Sequence, residues 1–143
     1  MKKKLIIGYT TGVFDLFHIG HVKILQKAKS LCDKLIVGVS TDSLVKKYKN
    51  KKPIIPFSER VEVIRNSRCV DLVVSQNSLD KFKNWKKLKY DVMFVGDDWY
   101  ATKKWRDLDK EFRKHGVKII YLPYTKKTSS TKINKILDNF RKK

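Results

Sequence analysis

The chain has 143 residues, 41% hydrophobic and 11% aromatic, enough for one globular domain over 1–143 with a core of its own. Its 34 Lys plus Arg against 14 Asp plus Glu leave a formal charge of +20, so anionic partners are expected, whether phosphorylated small molecules, nucleic acid or acidic membrane surfaces. No run is long enough to span a bilayer, the apolar stretch after the opening lysines is too short for a signal peptide, and no repeat is visible.

A cytoplasmic protein without a membrane partner is therefore expected. Cys32 and Cys69 lie far apart without CxxC spacing and read as buried thiols in a reducing compartment.

The first apolar run, KLIIGYT at 4–10, reads as a strand that feeds the loop TTGVFDLFHIGH. Val22, Ile24, Leu25, Ala28 and Leu31 then mark one face of a helix. KLIVGVS at 34–40 is a second strand, followed by a basic stretch, STDSLVKKYKNKK, that reads as a flexible loop. Val61, Val63 and Ile64 follow Ser58, which is expected to cap their helix. VDLVVS at 70–75 is the third strand, and Leu79, Phe82 and Leu88 belong to the helix after it.

DVMFVG at 91–96 is the fourth strand. Trp105, Leu108 and Phe112 define the next helix, which His115-Gly116 should stop. VKIIYLP at 117–123 is the fifth strand, and Ile133, Ile136, Leu137 and Phe140 follow the helical i, i+3, i+4, i+7 pattern to the end.

Strands that are apolar on both faces, alternating with helices, predict an α/β doubly wound, parallel five-stranded sheet with helices on both faces. In such a sheet ligands bind beyond the carboxyl ends of the strands. Chemistry is therefore expected in TTGVFDLFHIGH, STDSLVKKYKNKK, GDDWY and YTKKTSST.

His18 and His21 are three positions apart, so in one helical turn they point to the same side. A zinc site would need further ligands, and His115 and the cysteines are badly placed to supply them. Packing of both rings against the sheet is the plain structural alternative. Against it, Gly12 permits close approach to the strand end and Gly20 leaves room at the helix start. Free backbone N–H groups there would form an anion site, so the two imidazoles read as phosphate handlers.

These residues resemble the G-[TV]-F-D-x-x-H-x-G-H signature of the cytidylyltransferase-like nucleotidyltransferases. STD at 40–42 followed by lysines, FSER at 57–60 with Arg68 and VD shortly after, GDDW at 96–99 and SSTKI at 129–133 are similar, in order, to stretches of the glycerol-3-phosphate cytidylyltransferase branch. The resemblance covers roughly the whole chain and implies a Rossmann-like, HIGH-type fold. It also implies transfer of CMP from CTP to a phosphorylated alcohol, sn-glycerol 3-phosphate above all, with Mg2+ accompanying CTP and a homodimer as the common assembly.

By that resemblance His18 and His21 hold the α- and β-phosphates, while Lys47 and Lys49 reach the phosphates from the second loop. Thr11, Gly12, Val13, Phe14, Asp15, Gly20, Gly96, Asp97, Thr125, Ser129, Ser130 and Thr131 line the nucleotide. Arg60, Arg68, Asp71, Asp98 and Trp99 face the second substrate, with Arg68 also counted as catalytic. Solvated lysines, a plain GDD turn and plain N-caps are the ordinary alternatives for the loop residues.

One departure is visible: where the family has R-T-E-G-I-S-T this chain has YTKKTSST, so Tyr124, Lys126 and Lys127 replace Arg, Glu and Gly. A lysine holds phosphate as a point charge where arginine offers a fork, which bears on substrate identity. Two rivals stand beside the main reading. One is an adenylyltransferase, or a cytidylyltransferase for phosphocholine or phosphoethanolamine. The other is a basic nucleic-acid-binding module, disfavoured because the lysines are dispersed and the aromatics fall on apolar positions, so no specific nucleic acid is expected.

Overall fold

A computed structural model describes residues 4–96, 102–123 and 130–141, without the side chains of 130–132 and 141. Strand and helix alternate as β1 (Ile7–Gly12), α1 (Ile19–Ser30), β2 (Lys34–Ser40), α2 (Asp42–Lys49), α3 (Phe57–Arg65), β3 (Leu72–Gln76), α4 (Lys81–Leu88), β4 (Val92–Gly96), α5 (Lys103–Arg113), β5 (Lys118–Leu122) and α6 (Ser130–Arg141). The five strands pair in parallel in the order β3-β2-β1-β4-β5. The chain winds outward from β1 to one edge and then crosses back to β4, so the order reverses between β1 and β4. A crevice opens at such a point, above the carboxyl ends of the strands.

The period-2 geometry of a strand sends alternate residues of β2 to opposite faces. Leu35, Val37 and Val39 pack with Leu25 and Ala28 of α1 and Ile64 of α3. Ile36 packs on the other face with Tyr9, Met93, Trp105 and Phe112, where α4 and α5 lie. Both faces are apolar because both are covered. Gly38 faces this second layer, and a Cβ there would run into the Tyr9 hydroxyl.

The amino edge of the sheet is fastened by aspartates that stand just before three strands. Asp33 accepts a hydrogen bond from the Ile6 N–H, Asp71 from the Leu35 N–H and Asp91 from the Ile7 N–H, at 2.7, 2.8 and 2.8 Å. Each satisfies a donor at the start of a neighbouring strand that the ladder leaves over. Asp71 also takes the Lys29 ammonium at 2.6 Å. Burial pushes its carboxyl up, but the hydrogen bonds from Lys29 and Leu35 outweigh that and hold it below the usual carboxylate range. The expected substrate role of Asp71 is therefore replaced by a structural one, at the edge of the sheet opposite the crevice.

Several local expectations change. The basic stretch after β2 is a helix, because Thr41 caps it by accepting from the Leu44 N–H, Leu44 and Val45 bury, and Asn50 ends it at φ 57. Ser58 does not cap α3, which starts two residues earlier than that cap implies, with Pro56 at the N-cap and the Phe57 N–H on Asp42. Val63 is exposed, whereas Ile64 is fully buried. Leu79 precedes α4 and is not part of it, and α5 ends at Arg113 with Lys114 as its C-cap and Gly116 at φ 76 just beyond. On α6, Ile136 and Phe140 of the expected apolar face are exposed. Both cysteines are free and only half-buried.

Candidate active site

The crevice at the β1–β4 reversal is a cavity of about 520 Å³. Of the expected residues, Thr11, Gly12, Val13, Phe14, Asp15, His18, Gly20, His21, Lys49 and Gly96 all line it. Asp97, Asp98, Trp99, Thr125 and Ser129 lie outside the described residues. Ser130 and Thr131 open α6, with side chains not described.

The loop from β1 to α1 takes its shape from two non-glycine residues at positive φ, Phe14 (56°) and Leu16 (51°). Such conformations cost on the order of 1–3 kcal/mol each and persist only where the surroundings dictate them. Here the Phe14 ring is buried and meets His21 edge-on at 5.5 Å. A Cβ on Gly12 would sit 3.1 Å from that ring, so the room left by this glycine is used by Phe14 more than by a ligand. Asp15 pins the loop: its two carboxylate oxygens accept from the Ile54 and Ile55 N–H groups at 2.8 and 2.9 Å.

Arg60 completes the frame. It is 1% exposed. Its Nε donates to the Ile55 carbonyl, one terminal nitrogen to the carbonyls of Val13 and Ser40, and the other to Asp42, all at 2.5–2.8 Å. The planar fork of arginine suits this convergence of carbonyls, which a lysine would not satisfy. Arg60 was expected to meet substrate; its guanidinium is instead committed to holding together the β1 loop, the end of β2, the start of α2 and the 54–55 segment.

The histidines form a reciprocal cap on α1. His18 is the N-cap, and its Nδ1 accepts from the Gly20 N–H at 3.0 Å; His21 Nδ1 accepts from the His18 N–H at 3.2 Å. Two helix-end donors that were expected to face an anion are thus satisfied by imidazole. The rings lie 4.0 Å apart, with Phe17 stacked on His21. Because each Nδ1 accepts, each ring is a neutral tautomer whose proton is on Nε2, and that N–H is what it offers to the cavity. Burial lowers the His18 pKa. Burial, reinforced by His18 and opposed by Asp15, takes His21 down to about 4. The rings are therefore neutral donors at neutral pH, and the cationic charge of the site comes from lysines.

A consequence is testable. The unfolded chain takes up a proton at His21 near 6.5 and the fold only near 4, so the capped loop is at full stability above 6.5 and loses it as pH falls toward 4. In an NMR titration the His21 ring should move with a midpoint near 4; a midpoint near 6.5 would contradict the reciprocal cap.

Lys49, Lys51, Lys52, Lys81 and Lys104 line the cavity. Lys47, the expected catalytic lysine, is exposed and lines nothing there. It lies two positions after cavity-lining Val45, about 200° around the helix, so it faces away. Partial burial and Lys51 lower the pKa of Lys49, with Asp15 opposing. Arg68 is exposed in the turn between α3 and β3. It sits at the amino edge of a parallel sheet, opposite the edge where the histidines lie, so the second-substrate role expected for it is not brought to the site.

The sequence reading passed over Gln76, Tyr48, Lys81 and Lys104, all cavity-lining. The signal available for Gln76 and Lys81 was positional: both flank the loop after β3, at the carboxyl edge where ligands bind.

A family model described as cytidylyltransferase-like matches residues 9–136. The chain is 40% identical over 143 residues to the FAD synthase of Pyrococcus horikoshii, covering 96% of this chain and 91% of that protein. It is 36% identical over 138 residues to the glycerol-3-phosphate cytidylyltransferase of Bacillus subtilis, covering 92% and 94%. Among solved structures, the lipopolysaccharide core biosynthesis protein from Thermoplasma volcanium superposes with a TM-score of 0.71 at 28% identity, over 87% of this chain and 100% of that one.

Proposed function

Because the chain belongs to the cytidylyltransferase-like family of nucleotidyltransferases, we propose that it transfers CMP from CTP to a phosphorylated alcohol, sn-glycerol 3-phosphate first, giving CDP-glycerol and pyrophosphate. The observation that carries this reading is the reciprocal histidine cap, which directs two neutral N–H donors at a lysine-lined cavity. An oxygen of the acceptor's phosphate attacks the α-phosphorus of CTP, and the bond from that phosphorus to the β-phosphate bridging oxygen breaks with its electron pair leaving on pyrophosphate. The nucleophile is already an anion, so no base is needed. Catalysis then consists of holding two mutually repelling anions in line and neutralising charge as it develops.

His18 and His21 donate to the α- and β-phosphates. Lys49 lines the same cavity and supplies positive charge from the end of α2. Asp15 and Arg60 act at one remove, by fixing the loop that carries the histidines. Among the described residues no group of three or more His, Cys, Asp or Glu could hold a metal, and Asp15, the one carboxylate lining the cavity, is engaged by Ile54 and Ile55. Magnesium would therefore arrive held by triphosphate oxygens and water, where it neutralises the leaving pyrophosphate.

The FAD synthase relatives favour a second reading on the same machinery, transfer of AMP from ATP to a flavin phosphate. GDDW and the 36–37% identity to glycerol-3-phosphate cytidylyltransferases favour the first. A pyrophosphate-release screen decides: ATP, CTP, GTP and UTP, each against sn-glycerol 3-phosphate, phosphocholine, phosphoethanolamine and FMN. The expected result is release with CTP and sn-glycerol 3-phosphate above every other pair. Release with ATP and FMN alone would replace the first reading by the second.

A further inference from the structure

We propose that the seam between α4 and α5 binds single-stranded nucleic acid without sequence preference, the lysines of α4 holding phosphates beside an aromatic platform of Phe82, Trp85 and His115. This surface is separate from the crevice. α4 and α5 run from the carboxyl edge of the sheet back to its amino edge, so Lys89 and His115, just past their ends, stand at the edge opposite the histidines of α1.

In the sequence the lysines read as dispersed and the aromatics as buried; folding brings both to one seam. α4 reads KFKNWKKL, with no acid in it and Lys89 as its C-cap. Side chains four apart on a helix are neighbours, and each leans back over the preceding turn. Lys86 therefore comes over Phe82, 5.1 Å from the ring centroid, and Lys89 over Trp85 at 4.2 Å. The Trp85 indole N–H donates to the Tyr90 carbonyl at 3.0 Å, which fixes the ring. From the end of α5, His115 closes on both rings, 5.3 Å from Phe82 and 5.0 Å from Trp85. Phe82 and Trp85 are half-buried, and His115 is exposed.

Charge at the seam is unbalanced. Among the described residues Lys83, Lys86, Lys87 and Lys89 form no ion pair, and all four are exposed. Two acids of the neighbouring helix are already paired, Asp109 with Arg113 at 3.2 Å and Glu111 with Lys114 at 3.5 Å. Ammonium groups set among aromatic rings and free of carboxylates take phosphates and bases together. The cations track the backbone, and a ring can stack with whichever base arrives. An acidic membrane would instead need apolar side chains to insert. Among the described residues, none of the exposed large hydrophobics belongs to α4 or α5, whose apolar side is turned onto Tyr9, Tyr90 and Met93.

The test is fluorescence anisotropy of a labelled oligouridylate with the full chain over a series of salt concentrations, beside a thermal melt of each variant. Lys86→Glu with Lys89→Glu should weaken binding by about tenfold or more. It should also reduce the slope of log affinity against log salt by about 1.4, since each phosphate contact to a single strand contributes roughly 0.7. Lys23→Glu with Lys27→Glu, at exposed positions of α1 on the other face of the sheet, makes the same change in charge. Because salt screens distant charges, that pair should weaken binding by about threefold at most. His115→Ala should weaken it about fivefold or more with the slope kept, the lower end of a lost stacking contact. If a charge reversal lowers the melting temperature, His115→Ala, at its exposed position, decides alone. Equal weakening by the two double variants would mean that net charge alone is read, and would overturn the proposal. So would competition by polyglutamate as strong as by unlabelled oligouridylate, binding to phosphatidylserine vesicles in place of the oligonucleotide, or no binding by the wild type. None of these outcomes depends on nucleotidyl transfer.

Discussion

Alanine in place of either His18 or His21 is expected to lower kcat by about a hundredfold or more, the scale on which an enzyme loses a preorganised donor to its transition state. The two rings also cap α1 and one another, so alanine removes structure along with chemistry. His18→Asn separates the two. Asparagine is among the best N-cap residues, and its carbonyl oxygen can take the Gly20 N–H that Nδ1 now accepts. It has no donor where Nε2 lies. The expected outcome is a melting temperature near that of the wild type with turnover still down about a hundredfold, read by steady-state kinetics beside a thermal melt. Turnover within threefold of wild type for both alanine variants would end the assignment of the histidines.

The second large effect is one of stability. Arg60→Met keeps an unbranched stem but deletes the buried guanidinium, stranding the carbonyls of Val13, Ser40 and Ile55 and leaving Asp42 without its partner. Asp42 is 39% exposed and can be rehydrated, so the cost comes from the stranded carbonyls, at about 1–3 kcal/mol for each buried acceptor left unsatisfied. For a domain of this size the melting temperature should fall by roughly 10 °C or more. Arg68→Ala is the control: on an exposed turn at the opposite edge it should change stability by no more than about 0.5 kcal/mol and leave both KM values in place. If Arg68→Ala raised the KM for sn-glycerol 3-phosphate selectively, the second-substrate role read from sequence would return.

Both predictions separate what one-dimensional pattern could reveal from what it could not. The strands were legible because a strand covered on both faces must be apolar at nearly every position, as β2 is from Leu35 to Val39. Helix α2 was not. It buries only Leu44 and Val45, and its remaining residues look like a solvated basic loop, so capping by Thr41 and the tie from Arg60 to Asp42 decide its existence. The apolar periodicity of α6 was visible, yet Ile136 and Phe140 remain exposed. Periodicity records which residues can share a face and is silent about whether anything covers it.

For the site, the spacing of His18 and His21 and their position after the first strand were enough to point to the mouth of α1, because those relations are local and travel with the chain. The family followed from the order of the motifs. The remaining roles depended on contacts between residues far apart in sequence. Arg60 lies 47 positions from Val13, and that distance conceals that it is a brace and not a substrate ligand. Lys81, one cation among 34, acquires its buried position only when the α4 crossover brings it 70 positions back to Thr11. A charge has the same letter at the surface and in a cavity. Desolvation by the surrounding elements separates the two, and the fold alone supplies it.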